Sequence, residues 1–369
     1  MIRRRGCART ARMPPRHVDV LIIGAGIAGL LLARELSGRG CRVAVAHDSA
    51  RPGASEAAVG LLNPVRGLRC TLAWRAAEVF AAAREVYGAI GSRGGRRILH
   101  DLPVLRVFAS AEERKFFDRR AVALAGAGLA FRELASPPAG FRDAGFGTVA
   151  VEGGGALDAR ALTEHLRAES RADAVLIDRR CTPADLVSGP AAWAWTPAHL
   201  EAAQVVLAGG AADITASLAG PLPLRPVRGE SLLVRAPALD PGAAFVCGHH
   251  LAPVAPGLWS CGGTKVPGET GTSTTPEGRA ELEGFLAQRL SVPWEVVGHA
   301  CGVRAATLDT KPLVGRIAGH PRVLVFNGFG SQGYTIAPWL ARVLADHLTG
   351  GGALPPEVDP ARPALHRAR

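Results

Sequence analysis

Three glycines near the start of the chain have the spacing of a pyrophosphate-binding turn. Gly24, Gly26 and Gly29 stand in GAGIAG, which follows the predicted strand VDVLII and precedes a predicted helix. Gly24 permits the tight turn, Gly26 lets the backbone approach a pyrophosphate, and Gly29 lets the helix pack closely on the strand. Free N–H groups and the helix dipole favour an anion beside Ile27 and Ala28. The pattern therefore predicts a dinucleotide site.

The ribose of such a dinucleotide normally contacts an acidic residue that ends the second strand. Here CRVAVA is the predicted second strand, the position after it holds His47, and Asp48 comes one residue later. We predict that Asp48 contacts the ribose. The alternative is a different contact made by His47.

Three further blocks bear on the choice between a nicotinamide and a flavin. SEAAVGLLNPV (55–65) offers small residues whose backbone can lie along a flat ring, and CGVRAATLDTKPLVGR (301–316) supplies an arginine and a turn. NGFGSQGYTIAP (327–338) is a second glycine-rich loop that opens a helix. The N-terminus of that helix would stabilise the anionic reduced form of a flavin. A nicotinamide dehydrogenase has no use for this second loop, so the sequence favours FAD.

The elements that must position these residues are of two kinds. Strand–turn–helix segments of nucleotide-binding character occur at the start, middle and end of the chain, and segments rich in short strands interrupt them twice. Helices are predicted over 71–90 and 110–124, and Asp158 is a predicted helix N-cap. We expect these parts: a basic, disordered tail (1–17), a discontinuous FAD-binding domain (18–94, 150–222 and 299–352), a substrate domain (95–149 and 223–298) and a C-terminal tail (353–369).

The order and spacing of seven blocks resemble the FAD-dependent D-amino-acid-oxidase-like family from Val18 to Leu348: GAGIAG, AVGLLNP, GGGALDARAL, VVLAGGA, PVRGE, GVRAATLDTKPLVG and NGFGSQGYTIAP. The resemblance implies an α/β fold: a Rossmann-like FAD-binding domain of the glutathione-reductase type, with an inserted α+β substrate domain whose antiparallel sheet covers the flavin. It also implies oxidation of the C–N bond of an amine or amino acid, in which a hydride passes to flavin N5 and the imine hydrolyses in water.

Cofactor contacts are expected along the backbone. The ADP half would contact Gly24, Gly26, Ile27, Ala28, Gly29 and Asp48, and the ring would lie along Ala58, Val59, Gly60 and Leu61. Cys181 would lie by the adenine and Ala208 and Gly209 near the pyrophosphate. The pyrimidine oxygen would approach Gly330, Ser331, Gln332 and Gly333.

The residues expected to act on the substrate are Arg304, His250 and Gln332. The resemblance assigns to Arg304 the grip on a substrate carboxylate, which a planar guanidinium can bind at two points. The alternative is a structural ion pair, with Asp309 as the partner. The family often has a basic residue where this chain has Ser331–Gln332, which indicates a larger or less acidic substrate than glycine.

Other polar residues have two interpretations each. Of His249 and His250, one can line the pocket, although a satisfied histidine in a β-turn is favoured. Lys265 can face the flavin, and Lys311 is predicted to be a surface turn residue. Arg66 and Arg69 are expected to face either the pocket or the surface. Cys301 is expected to be a free buried cysteine, and Trp74 to lie in the core of its helix.

Composition limits the other function classes. The net charge is +11, but residues 1–17 contribute six Arg and no acidic residue, so a nucleic-acid partner is possible and not favoured. The seven cysteines are widely spaced without a C-x-x-C pair, which argues against a disulfide framework or a metal site and for a reducing cytoplasm. No apolar run is long enough for a transmembrane segment. Met13 is the expected true start, because strand-forming sequence begins soon after it.

Three functions stay open at this level. The favoured one is an FAD-dependent amine or amino-acid oxidoreductase that uses oxygen or another acceptor. The first alternative is a tRNA wobble-uridine modification oxidase, because GVRAATLDTKPLVG and NGFGSQG resemble that branch. The second is a flavoprotein dehydrogenase that passes electrons to an acceptor other than oxygen.

Overall fold

The computed structural model describes residues 15–365, apart from 52, 96, 174, 215–217 and 219. The predicted start at Met13 and most of the predicted basic tail therefore lie outside the described residues. Arg16 and His17 already belong to the first strand, which begins two residues before the predicted Val18. Within the described residues, no helix is both long and apolar enough to cross a membrane.

Six α-helices occur in the described residues: α1 (Ile27–Gly38), α2 (Ala76–Arg93), α3 (Ala111–Gly126), α4 (Ala159–Ala172), α5 (Pro276–Arg289) and α6 (Gly333–Gly350). The strands are β1 (Arg16–Ile23), β2 (Val43–His47), β3 (Leu61–Leu62), β4 (Val65–Arg66), β5 (Thr71–Leu72), β6 (Leu99–Asp101), β7 (Val104–Val107), β8 (Phe131–Leu134), β9 (Thr148–Val151), β10 (Gly155–Leu157), β11 (Leu176–Asp178), β12 (Leu186–Ser188), β13 (Trp193–Trp195), β14 (Leu200–Leu207), β15 (Arg225–Arg235), β16 (Ala244–Cys247), β17 (His249–Ala255), β18 (Leu258–Gly262), β19 (Val266–Pro267), β20 (Glu295–Ala306), β21 (Leu313–Ile317) and β22 (His320–Asn327).

The first sheet has a parallel centre in the order β11-β2-β1-β14-β22. Strands β12, β13 and β21 extend it by antiparallel pairing. Both faces of the sheet are covered, since Ile22 packs among the helices and Leu21 lies in a second cluster on the opposite face. Parallel strands point the same way, so the loops that follow them meet at one edge of the sheet.

The second sheet is built mainly from antiparallel pairs, in the order β19-β15-β18-β17-β16-β7-β9-β8, with β20 also paired to β15. Only its β7–β16 pair is parallel among the described residues. Helix α5 packs on one face of this sheet through Leu282, Phe285 and Leu286. The long β15–β20 ladder of the second sheet ends beside the glycine-rich loop that precedes α6.

Local signals predicted the starts of two helices well. Asp158 caps α4, as predicted, by accepting a hydrogen bond from the Ala161 N–H at 2.9 Å. Ser110 caps α3 in the same way. The helix predicted over 71–90 was wrong at both ends. Thr71 and Leu72 form β5 instead, and α2 begins at Ala76 after Arg75, whose left-handed backbone (φ 48°) separates strand from helix.

Two strands cross the domain boundaries expected from the sequence. Strand β9 runs through the 149/150 boundary, and β20 runs through the 298/299 boundary. The segment expected to be a C-terminal tail is packed against the protein as far as it is described. Val358 and Leu365 are buried, and Arg362 pairs with Asp309 at 2.8 Å.

Candidate active site

A cavity of about 970 Å³ lies where the carboxyl ends of the parallel strands face the second sheet. A cavity of this size is in the range of small-molecule and cofactor sites. It is lined by all of the predicted cofactor and substrate residues except Gly29: Gly24, Gly26, Ile27, Ala28, Asp48, Ala58, Val59, Gly60, Leu61, Cys181, Ala208, Gly209, His250, Arg304, Gly330, Ser331, Gln332 and Gly333.

The first glycine turn is required by its packing. Gly24 has φ +118°, and a Cβ there would lie 2.9 Å from the Gly209 Cα and still closer to the Ala208 carbonyl. Gly29 does not line the cavity; it packs against the Gly24 carbonyl, where a Cβ would collide with the turn. The predicted roles in turning the chain and in helix–strand packing thus correspond to contacts in the structure.

The start of α1 has partners that the glycine pattern did not reveal. The Ser55 hydroxyl accepts a hydrogen bond from the Ile27 N–H at 3.0 Å. Arg167, on α4, donates to the Ala25 carbonyl at 2.9 Å and pairs with Glu56. Ser55 lies inside a block singled out from the sequence, but Arg167 is distant in the chain and carried no signal.

The structure brings both candidate ribose residues to the cavity. His47 is buried, and burial, followed by repulsion from Arg167, lowers its pKa, so the ring is neutral at neutral pH. The Asp48 carboxylate lies 3.4 Å from Arg51 and 4.0 Å from Arg180. Cys181 lies on the same wall, and burial raises the pKa of its thiol to about 12.

The second glycine-rich loop presents an unsatisfied acceptor. Gln332 is the residue before α6 and is buried, and its Oε1 atom has no hydrogen-bond partner among the described residues. Its Nε2 atom donates weakly to the Thr310 carbonyl at 3.5 Å. A buried acceptor without a donor is costly, and the ring N–H of a flavin pyrimidine is a donor of the kind it lacks. The residues of this loop therefore fit the group that the sequence predicted.

A buried carboxyl beneath this loop was missed. Asp213 accepts hydrogen bonds from the Gly209 N–H at 2.9 Å and from Asn327 Nδ2 at 2.8 Å. Burial nevertheless raises its pKa to about 6. It ties the loop after β14 to the end of β22, and no sequence pattern connects residues that are 114 positions apart.

Arg304 lines the cavity and is held there by backbone. Its Nη1 atom donates to the Thr264 carbonyl at 3.1 Å. Two glycines leave room for the guanidinium, since a Cβ on Gly229 or Gly263 would lie 2.6 Å from one of its atoms. Burial lowers its pKa. In the described parts of the chain no carboxylate pairs with it, and the alternative partner Asp309 binds Arg362 instead, so that interpretation was wrong.

The two adjacent histidines point in opposite directions, as neighbours on a strand must. His250 lines the cavity, and burial together with repulsion from Lys265 lowers its pKa to about 3. His249 faces α5, where its Nε2 atom lies 3.3 Å from Glu281 and its ring packs edge-on against Phe285. Only His250 is therefore available to a bound molecule.

The remaining candidates divide between cavity and scaffold. Arg66 and Lys265 line the cavity, whereas Arg69 is exposed to solvent. Cys301 is a free, buried cysteine, as predicted. The Lys311 backbone carbonyl accepts a hydrogen bond from Arg362, and the residue is half-buried rather than at the surface. Trp74 was expected in the core of its helix, but it precedes α2, is half-buried and packs edge-on against Trp339.

Parallel strands that end in two glycine-rich loops, closed over by an antiparallel sheet, define a dinucleotide-dependent oxidoreductase. The model of the DAO family, described as FAD dependent oxidoreductase, matches residues 19–347, and the chain belongs to this family. The predicted family membership is thereby confirmed.

Relatives of known name fall into two groups. The chain is 29% identical over 354 residues to the tRNA 5-methylaminomethyl-2-thiouridine biosynthesis bifunctional protein MnmC of Caulobacter sp. (strain K31), covering 91% of this chain and 55% of that protein. It thus spans about half the length of that relative. It is 27% identical over 369 residues to glycine oxidase of Pseudomonas aeruginosa, covering 93% and 97% of the two chains.

Solved structures bear out the fold. The chain superposes on glycine oxidase from Geobacillus kaustophilus with a TM-score of 0.81 at 24% identity, covering 94% of this chain and 99% of that one. L-proline dehydrogenase from P. horikoshii gives a TM-score of 0.77 at 17% identity, covering 96% and 100%. The predicted fold class is confirmed.

Proposed function

We propose that this chain is an FAD-dependent oxidoreductase that oxidises the C–N bond of a small amine carrying a carboxylate. The observation that carries the proposal is the guanidinium of Arg304, which lies in the cavity without a carboxylate partner among the described residues. A buried cation without a counter-ion is costly. A carboxylate brought by the substrate would supply the missing charge at two points.

The residues that would hold FAD are those at the edge of the parallel sheet. The turn at Gly24 and the N-terminus of α1 suit the pyrophosphate, the backbone of 58–61 suits the ring, and Gln332 offers an acceptor to the pyrimidine. When bound, FAD supplies the two-electron acceptor that C–N oxidation requires. The protein's task is then to position the substrate and exclude water.

One side chain, His250, would orient the amine rather than exchange protons with it. His250 is neutral at physiological pH because its pKa lies near 3. It can therefore donate or accept one hydrogen bond but does not add positive charge beside Arg304. A neutral imidazole is compatible with a neutral amine, which is the form whose lone pair is free for oxidation.

The test is anaerobic reduction of the purified flavoprotein, followed at the flavin absorbance band. The panel contains amino acids, N-methyl amino acids and the same amines without the carboxylate. Arg304→Gln should weaken binding of carboxylate substrates roughly 10- to 150-fold, the worth of hydrogen bonds to a charged group. The matched control is Arg225→Gln, an exposed arginine on β15. Equal effects of the two substitutions would refute the role of Arg304.

A second candidate is oxidation of an amine on a tRNA nucleoside, which is favoured by the MnmC relatives. A third is electron transfer to an acceptor other than oxygen. Modified tRNA in the same anaerobic panel tests the second, because bleaching by tRNA alone would favour it. Slow recovery of the flavin band on admitting air would favour the third.

A further inference from the structure

Three cations line one end of the cavity. Arg304 donates a hydrogen bond to the Thr264 carbonyl, and Lys265 directly follows Thr264 in the chain. Arg66 lines the same cavity from the hairpin formed by β4 and β5. Repulsion from Arg304 and Arg66 adds to burial in lowering the pKa of Lys265, which places all three charges in one electrostatic field. No salt bridge or side-chain hydrogen bond satisfies Arg66 or Lys265 within the described residues.

The acidic residues that line the cavity are all engaged elsewhere. Glu113 pairs with Arg106 at 2.5 Å, Asp48 lies by Arg51 and Arg180, and Asp213 accepts from Gly209 and Asn327. None of these carboxyls is left to neutralise the three cations. The positive charge at this end therefore has no counter-charge in the part of the chain that the structure describes.

A buried ion pair holds the backbone on both sides of Arg66. Arg106 is fully buried, and its guanidinium donates to the Val65 carbonyl at 2.7 Å and to the Gly67 carbonyl at 3.3 Å, on either side of Arg66. Glu113 holds that guanidinium from the other side. The Arg106–Glu113 ion pair therefore fixes the backbone from which Arg66 reaches the cavity.

One carboxylate cannot balance this end of the cavity. Bound to Arg304, it compensates one charge and leaves Arg66 and Lys265 still repelling each other. The energy of such repulsion rises as water is displaced by a bound molecule and the effective dielectric constant falls. A second negative group on the same molecule would convert the repulsion into attraction.

We infer that the preferred substrate is a dianionic amino acid, with one carboxylate on Arg304 and a second acidic group on Arg66 and Lys265. The inference rests on the proposed function and specifies its substrate class. It also gives a reason for the uncharged Ser331–Gln332 pair, because the second positive site is supplied by residues 66 and 265 instead.

The first experiment measures binding to the FAD-loaded protein without turnover. Calorimetric titrations compare the dicarboxylates succinate and glutarate with their monoamides, which have the same shape and one charge fewer. We expect the dicarboxylate to bind at least about tenfold more tightly than its monoamide, as charge-assisted hydrogen bonds predict. Equal affinities would overturn the inference.

Variants then locate the second site. Arg66→Gln should remove most of the preference for the dicarboxylate and change monoamide binding less than about threefold, whereas Arg66→Lys should retain part of the preference. Arg69→Gln is the matched control, since Arg69 is exposed three residues away. A preference that survives Arg66→Gln in folded protein would overturn the assignment to Arg66.

Turnover separates the two proposals. Aspartate, glutamate and iminodiacetate are compared with their monoamides by kcat/KM, and modified tRNA is included. A higher kcat/KM for each acid supports the inference. Oxidation of monoanionic amines at equal or higher kcat/KM overturns the inference and leaves the proposed function standing. Reduction by tRNA alone, or by no amine at all, overturns both, even where dicarboxylates bind.

Discussion

Replacing Gly229 with alanine places a methyl group where the guanidinium of Arg304 now lies. The new Cβ would be 2.6 Å from the Arg304 Cζ atom and 2.5 Å from Nη2. Ordinary van der Waals contact begins near 3.4 Å, so the guanidinium must retreat by about 1 Å. Gly229 lies in the middle of β15 and is not among the positive-φ glycines, so alanine itself suffers no backbone strain there.

The expected cost falls on binding rather than on folding. A misplacement of about 1 Å in a positioning group can cost roughly 100-fold, and the whole charged contact is worth roughly 10- to 150-fold. We therefore expect Gly229→Ala to raise the dissociation constant of a carboxylate ligand by roughly 10- to 100-fold. Flavin content should be unchanged, because the clash is at the substrate end of the cavity.

A double-mutant cycle with Arg304→Gln tests the reasoning directly. Once the guanidinium is gone, the methyl group has less to displace, so Gly229→Ala should cost much less in the Arg304→Gln background. Gly284→Ala is the control, since a Cβ at that helical position meets nothing within 4 Å. Additive effects of the two substitutions, or unaltered binding by Gly229→Ala, would refute the idea that Gly229 makes room for the Arg304 guanidinium.

Three other substitutions have defined expectations. Gly24→Ala should lose bound flavin, because its Cβ collides with backbone of the loop after β14 at a φ that costs roughly 1–3 kcal/mol; a full flavin content would contradict this. Glu113→Gln should lower the free energy of unfolding by about 3–5 kcal/mol, because it leaves Arg106 as an unpaired buried charge. Urea denaturation measures this change, and Glu112→Gln on the exposed side of α3 is the control. Asp213 has a folded-state pKa of about 6, above its unfolded value of 3.8, so the native state binds the proton more tightly. The contribution of Asp213 to the stability of the flavin-free protein should therefore fall by roughly 3 kcal/mol as the pH rises from about 3 to about 7. Asp213→Asn should abolish that contribution, and parallel pH profiles of the two proteins would disprove it.

What the sequence could predict was local. Gly24 and Gly29 act within one turn, and Asp158 caps a helix that starts beside it, so residue type and spacing carried the information. Arg75 shows the limit even at short range, since its left-handed backbone divides β5 from α2 inside a stretch that the sequence predicted to be one Ala-rich helix. Helix propensity is a weak guide where a turn is fixed by tertiary contacts.

The features of the site that the sequence did not predict depend on pairing between segments that are far apart in the chain. Arg66 and Arg69 are three residues apart, and only the β4–β5 hairpin decides that the first faces the cavity and the second faces solvent. The alternation of His249 and His250 was inherent in a strand, but the face that meets the cavity depends on pairing with β18. Asp213 gives no sequence signal, because its partner Asn327 lies on a strand far along the chain.

Strand β20 connects the two halves of the site. A Cβ added at its Gly302 would lie 2.7 Å from the Cα of Ala54, in the segment that leads to the predicted flavin-contacting backbone. Two residues on, Arg304 enters the cavity, and the next carbonyl, of Ala305, accepts a hydrogen bond from the Gly330 N–H at 2.8 Å. One strand therefore fixes Arg304 relative to both the segment at Ala54 and the glycine-rich loop before α6. The distance between the charge proposed to hold a substrate and the backbone predicted to hold the flavin is consequently set by strand geometry, which a flexible loop could not maintain.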